Sequence, residues 1–332
     1  MDADTLDREI RLTLDSYVAL TRGLPDEAAR ESFLWSYPWQ LLSRRLFQLG
    51  SARLAAEAAP LPTVVEQVAE YGHGLTGDPV LLTWSPAHDA LAVTSRNAPV
   101  IRLFRYGAPL PDLMGDTYRN AAVWAEENGL WIAGDGGRRV TFLNAARETE
   151  TRLDIERAFP DRATAAHLIH FARFGERLYF ILQNAQGNQR RVCSVPLGDV
   201  DGSLQEHPTD VSLWPRQFNV VDGALLLTDH WFPVVEALDG EGGGFRLRTF
   251  TFAAEDNRGC CAVDDGLLLA SPRRLLQFSP AGKLLAAGLV GGEDRRPNLR
   301  NITATPSRSG TVAALDMREV CIREFALRNN PA

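Results

Sequence analysis

Lysine is almost missing from this chain. Among 332 residues and 35 basic side chains the only lysine is Lys283, so arginine carries nearly all the positive charge. Schiff-base chemistry therefore has one candidate amine, and "SPAGKLL" sets it beside a turn, where a desolvated amine of low pKa is not expected. Cysteine is scarce too. The four present form no C-x-x-C pair, which leaves no zinc knuckle, no thioredoxin-type motif and too few bridges to staple a chain of this length. Cys260 and Cys261 are adjacent, so in a strand they point to opposite faces. No apolar run approaches the ~18 residues of a membrane span, and "MDADTLDREIR" opens acidic, without a secretory core. The net charge of -7 argues against nucleic acid or an anionic membrane as partner. These absences predict a reduced, soluble, cytoplasmic protein.

What is present changes texture near residue 60. Residues 1–61 read as a helical extension. Asp4 is placed to cap a segment whose Leu6, Ile10, Leu14 and Tyr17 share one helical face. Pro25 restarts a helix and Pro38 ends or kinks it, after which Leu42, Leu46 and Leu49 line one side of the next. "APLP" at 59–62 breaks the pattern. So little helix makes a thin core alone, and these segments are expected to pack on the larger region C-terminal to them.

From residue 62 to 330 the pattern is β. "NGLWIAGDGGRRVTFLN" joins two short apolar runs through a polar turn, and the arrangement recurs in "HDALAVTSRNAPVIRLF", "GERLYFILQNAQGNQRRVCSVPL", "DGALLLTDHWFPVVEAL", "DGLLLASPRRLLQF" and "SGTVAALDMREVCIREF". The turn residues Ala90, Gly129, Glu176, Gly223, Gly266 and Gly310 fall at intervals of 39, 47, 47, 43 and 44. Each repeat is preceded by one further apolar strand, such as "AAVW" or "HLIHF". Repeats of this length built from about four short strands are the signature of propeller blades. The chain therefore reads as all-β: a six-bladed β-propeller with an N-terminal α-helical extension. Its blades span about 78–327, and "PTVVEQVAEY" at 62–71 closes the ring on the last blade, removing an open edge.

"GLWIAGDGGRRVTFLN" and "GALLLTDHWFPVVEALD" resemble NHL-type blades, whose second strand commonly ends in Asp before a turn. The wider six-bladed group holds strictosidine-synthase-like proteins and calcium-dependent lactonases of the gluconolactonase type. "LTGDPVLLTW" is similar to the opening blade of the gluconolactonase-like proteins, where a Glu in Gly-Glu-Gly-Pro binds metal. This chain offers Asp78 with one Gly missing.

Superposed repeats expose two polar rows. Asn120, Asn257 and Asn301 lie nine residues before their turn glycines, and Asp135, Asp229 and Asp316 lie six after theirs. The first row starts the innermost strand and the second ends its antiparallel neighbour, so both meet one mouth of the channel, ~4.8 Å apart radially. Such oxygens suit Ca²⁺ or a polarised carbonyl. They equally suit local backbone bonding at turns, the commoner use of Asn and Asp. His230 and Trp231 in "TDHWFP" sit on the same face, as ligand contacts or as an anchored surface turn. His167 and His170, three apart in a strand, point to opposite sides and do not chelate one ion; His167 reaches toward the channel and His170 packs between blades. "GGEDRRPNLRN" gathers three arginines that suit a carboxylate or phosphate, or else form a solvated loop balanced by Glu293 and Asp294.

Two functions fit this pattern. The leading expectation is a non-catalytic recognition propeller, holding a peptide, a protein or a small polar ligand through Asn120, Asn257, Asn301, Asp229, His230, Trp231 and Asp316. It needs no cofactor. The alternative, implied by the gluconolactonase resemblance, is a calcium-dependent hydrolase or lactonase with Asp78, Asn120, Asn257 and Asn301 as metal ligands and Asp135 or His167 as base.

Overall fold

The computed structural model describes residues 2–24, 29, 32–33, 36–57, 63–75, 79–95, 98–114, 122–159, 167–184, 189–199, 201–202, 204–210, 212, 214–230, 234–240, 243–250, 258–263, 266–271, 274–279, 284–290, 297–305 and 310–329. Their strands form six four-stranded antiparallel sheets. The innermost strands are β2 (Pro79–Ser85), β6 (Ala122–Glu126), β10 (His167–Phe174), β14 (Pro215–Val221), β18 (Gly259–Val263) and β22 (Leu299–Ala304). Each of these touches the innermost strand of both neighbouring sheets, and β22 returns to β2. The sheets are thus blades around a central channel, and the protein is a six-bladed propeller.

Blade packing is set by strand alternation. In β7 (Gly129–Gly134), Leu130 and Ile132 join the cluster shared with blade one, while Trp131 and Ala133 join the cluster shared with blade three. A strand buried on both faces must be apolar throughout, which is why the second strand of each repeat reads as an unbroken run. Six such clusters fill the six gaps between blades. Cys260 and Cys261 fall in different gaps, one between blades four and five, the other between five and six. His170 lies between blades: Phe218 N–H donates to its Nδ1 at 3.4 Å, and its ring meets Trp124 and Phe218 edge-on. A register slip between Leu168 and His170 brings His170 onto the side of the ladder that His167 takes, where unbroken alternation would oppose them.

The sixth blade is composite. β1 (Thr63–Tyr71) is its outermost strand, pairing antiparallel with β24 (Cys321–Asn329) from Thr63↔Asn329 to Tyr71↔Ile322. Tyr71 adds a 2.6 Å hydrogen bond from its hydroxyl to Glu324, on that partner strand.

Ahead of β1 lie α1 (Ala3–Arg22) and α2 (Tyr37–Glu57). Asp2 rather than Asp4 caps α1, accepting the Thr5 N–H at 2.8 Å, because the helix starts two residues earlier than a cap at Asp4 would set it. Pro38 falls in the first turn of α2, where its missing N–H costs nothing. Leu6, Ile10, Leu14 and Tyr17 of α1 pack with Phe33, Leu46 and Leu49 against Val234 of β16 (Val234–Leu238) and Leu247 of β17 (Phe245–Phe250). The helices therefore dock on blade four. Among the described residues no helix is long and apolar enough to cross a membrane.

Candidate functional site at the channel mouth

The innermost strands begin, and the second strands end, on one face of the disc, as the pairings His167↔Gln183, Pro215↔Asp229 and Leu299↔Asp316 show. Four innermost strands slip register within their first four residues: β2 between Pro79 and Leu81, β10 between Leu168 and His170, β14 between Pro215 and Gln217, β22 between Arg300 and Ile302. Each slip leaves one residue outside the ladder, which is how a bulge re-aims a side chain. In β14 that residue is Arg216; in β22 it is Asn301.

Arg216 is only 8% exposed. Its Nη1 donates to His230 Nδ1 at 2.7 Å, and its buried Nε has no hydrogen-bond partner. Burial first, and then the guanidiniums of Arg300, Arg190 and Arg258, push its pKa well below the ordinary arginine value. Arginine does not shed its proton in proteins, so the charge stays, buried and among like charges. His230 feels the same field: burial, then Arg216, Arg190, Arg258 and Arg300, drive its pKa down to about 2. Its ring is neutral, and because arginine only donates, Nδ1 accepts and the ring proton sits on Nε2.

The other arginines come from separate strands. Arg190 opens β12 (Arg190–Pro196), donates to Gln183 Oε1 and to the Pro215 carbonyl, and stacks 4.8 Å over Trp214. Arg258 immediately precedes β18, and its carbonyl accepts the Asn301 N–H at 2.8 Å. Arg300 is the second residue of β22. In the sequence, Arg300 stands out as part of an arginine-rich loop, whereas Arg190, Arg216 and Arg258 do not. Their repeats carry no shared arginine position, so superposition gives no signal.

Asp78, Asn120, Asn257 and Trp231 lie outside the described residues, as do Arg295 and Arg296. Asn301 is buried at φ 50°, and Gly259 packs on its backbone so closely that a Cβ there would stand 2.6 Å from its Cα. Asp229 is fully buried and accepts from Ser212 Oγ and Trp214 N–H, both at 2.7 Å. Asp316 repeats the pattern in blade six, accepting from Asn298 N–H, Arg318 N–H and Arg323 Nε. Both carboxylates thus brace the residue just ahead of an innermost strand. Asp135 is exposed at φ 51° and faces Arg139 at 3.6 Å. His167 is exposed at the start of β10, and no hydrogen bond or ion pair joins it to Asp135.

Asn301, the described member of the expected ligand set, adjoins Arg300 and Arg258, whose charges repel a cation. A compact Glu70–His73–Cys321 group lies at the edge of blade six, but Glu70 Oε2 is held 2.7 Å from Arg323 Nη1.

No protein-family model matches the chain, and no curated protein does either. Solved structures do. A calcium-binding regucalcin from Agrobacterium tumefaciens aligns with TM-score 0.58 at 10% identity, over 80% of this chain and 96% of that one. A gluconolactonase from Xanthomonas campestris aligns at 0.53 with 16% identity, over 82% and 93%. A streptogramin B lyase aligns at 0.54 with 13% identity, over 80% and 98%. The shared feature is the fold. At these identities the likeness carries the six-bladed ring and leaves the site to be read from this chain's own residues.

Proposed function

We propose that this propeller is a recognition module whose ligand, a small polar molecule or the end of a peptide or protein partner, seats at the channel mouth between blades three and six. The observation that carries the reading is Arg216, set on a strand bulge, almost fully buried and bonded to a neutral His230. A guanidinium fixed before any ligand arrives loses little entropy on binding, so its hydrogen bonds count toward affinity. Asp229 and Asp316 brace the strands that frame the seat. Native mass spectrometry of the full chain after incubation with cell extract tests it. A small-molecule or peptide adduct lost in Arg216→Gln is expected; no adduct, or one that survives the substitution, overturns the mouth as the seat.

A calcium-dependent hydrolase is the second reading, supported by the likeness to regucalcin and gluconolactonase. Asp78, Asn120, Asn257 and Asn301 would hold the ion, with Asp135 or His167 as base. The arginine field at the mouth weighs against it. Calcium titration with an ester and lactone panel separates the two: our reading expects no calcium-dependent rise in melting temperature and no turnover.

A further inference from the structure

We infer that the ligand at the mouth presents an oxyanion, a carboxylate or a phosphate, gripped by Arg216 and drawn by the potential of Arg300, Arg258 and Arg190. This rests on the mouth being the ligand seat and names the chemistry that fills it.

Neighbours on the same strand provide the contrast. Gln217 and Asn219 are also buried polar side chains of β14, and both are consumed in joining blades four and five. Gln217 exchanges two hydrogen bonds with the Cys260 backbone, and Asn219 donates to Cys260 Sγ. Arg216 braces nothing comparable. Of its five N–H donors, one is placed on His230, which is neutral and returns no charge. Its Nε is buried without a partner, and no carboxylate among the described residues pairs with it.

A buried cation surrounded by three more is a costly arrangement, and an apolar side chain of similar volume commonly packs such a site with equal or greater stability. An anion at the mouth removes the penalty. The guanidinium fork matches two oxygens of a carboxylate or phosphate, and in a desolvated site those charge-assisted bonds are strong. Arg190 is held aside by Trp214, with its guanidinium 4.8 Å over the ring, and by the Gln183 side chain and Pro215 carbonyl that it donates to. The overall charge of -7 disfavours a long polyanion, so the oxyanion is a single group on a small molecule or at a chain end.

Isothermal titration of the full chain with inorganic phosphate, succinate and neutral succinamide tests this, against Arg216→Met and Arg300→Gln. At least one anion should bind while succinamide does not, and the choice between phosphate and succinate assigns the group. Binding should be roughly ten- to a hundred-fold weaker in Arg216→Met, as loss of a charge-assisted pair implies. Without ligand, that variant should melt higher than the parent. If Arg216→Met fails to fold, Arg300→Gln must weaken binding several-fold and flatten its salt dependence. Equal anion affinity in parent and variants overturns the inference. Mouth binding of neutral compounds but no anion, lost in Arg216→Met, overturns the oxyanion alone. If neither class binds, the mouth as ligand seat falls with it.

Discussion

His170 and His230 are rings that the protein keeps without charge. Burial, and then Arg216, lower the His170 pKa from 6.5 to about 3, while His230 falls to about 2. Between those values and 6.5 the unfolded chain binds more protons than the native one. Stability is therefore full above pH 6.5 and falls as pH drops below it, by roughly 1.4 kcal/mol per pH unit for each ring. Urea unfolding at pH 6.5 and pH 5 should differ by up to about 4 kcal/mol, and His170→Gln with His230→Gln should flatten most of that slope. A parent whose stability does not change over this range would contradict the neutral burial of both rings. The thiols make a second prediction. All four cysteines are buried, and burial pushes Cys260 up to about 12 and Cys321 to about 11. Iodoacetamide at pH 8 should leave the native protein unlabelled and react only on unfolding, because the thiolate is the nucleophile.

At the scale of the strand, the contact between β18 and β22 is the sharpest constraint on the mouth. Gly259→Ala sets a methyl 2.6 Å from the Asn301 Cα, and backbone cannot yield as a side chain would. We expect a loss of about 1–3 kcal/mol in denaturant midpoint measurements, with weakened ligand binding because Arg258 and Arg300 flank the contact. Gly223→Ala, strained only by a φ of 70° with open space around it, should cost about 1–2 kcal/mol and leave binding alone. Equal effects of the two on ligand binding would remove the case for this contact. The same strands show what the sequence could tell. Blade number and the placing of Asp229 and Asp316 were legible, because turn glycines and strand-ending Asp recur at fixed offsets. The arginine cluster was not. It is assembled from the start of a third strand, a bulge, a residue ahead of a strand and a strand's second position, and bulges shift register without altering composition. The cap of α1 slips in a similar way, since two acids stand two residues apart and only geometry chooses between them.

At the scale of the whole molecule, ring and helices should separate cleanly. Removing residues 1–61 uncovers Val234 and Leu247 but leaves β1 in place, so a folded and less soluble propeller is expected. Removing 1–72 strips β1 from β24 and bares a row of unpaired N–H and C=O groups, a route to aggregation. Calorimetry of both truncations checks this; if they melt alike, the β1–β24 pairing does not hold the ring. That pairing also sets a timetable. Thr63 meets Asn329, a partner 329 - 63 = 266 residues later in the chain. At the ribosome's pace of about 5–20 residues per second, β1 waits on the order of 13–53 seconds before its partner exists. Blades one to five can form while the chain is still growing, but the ring cannot lock until β24 emerges. Closure of the ring thus waits on a contact between the two ends of the β region, the kind of long-range pairing that forms late.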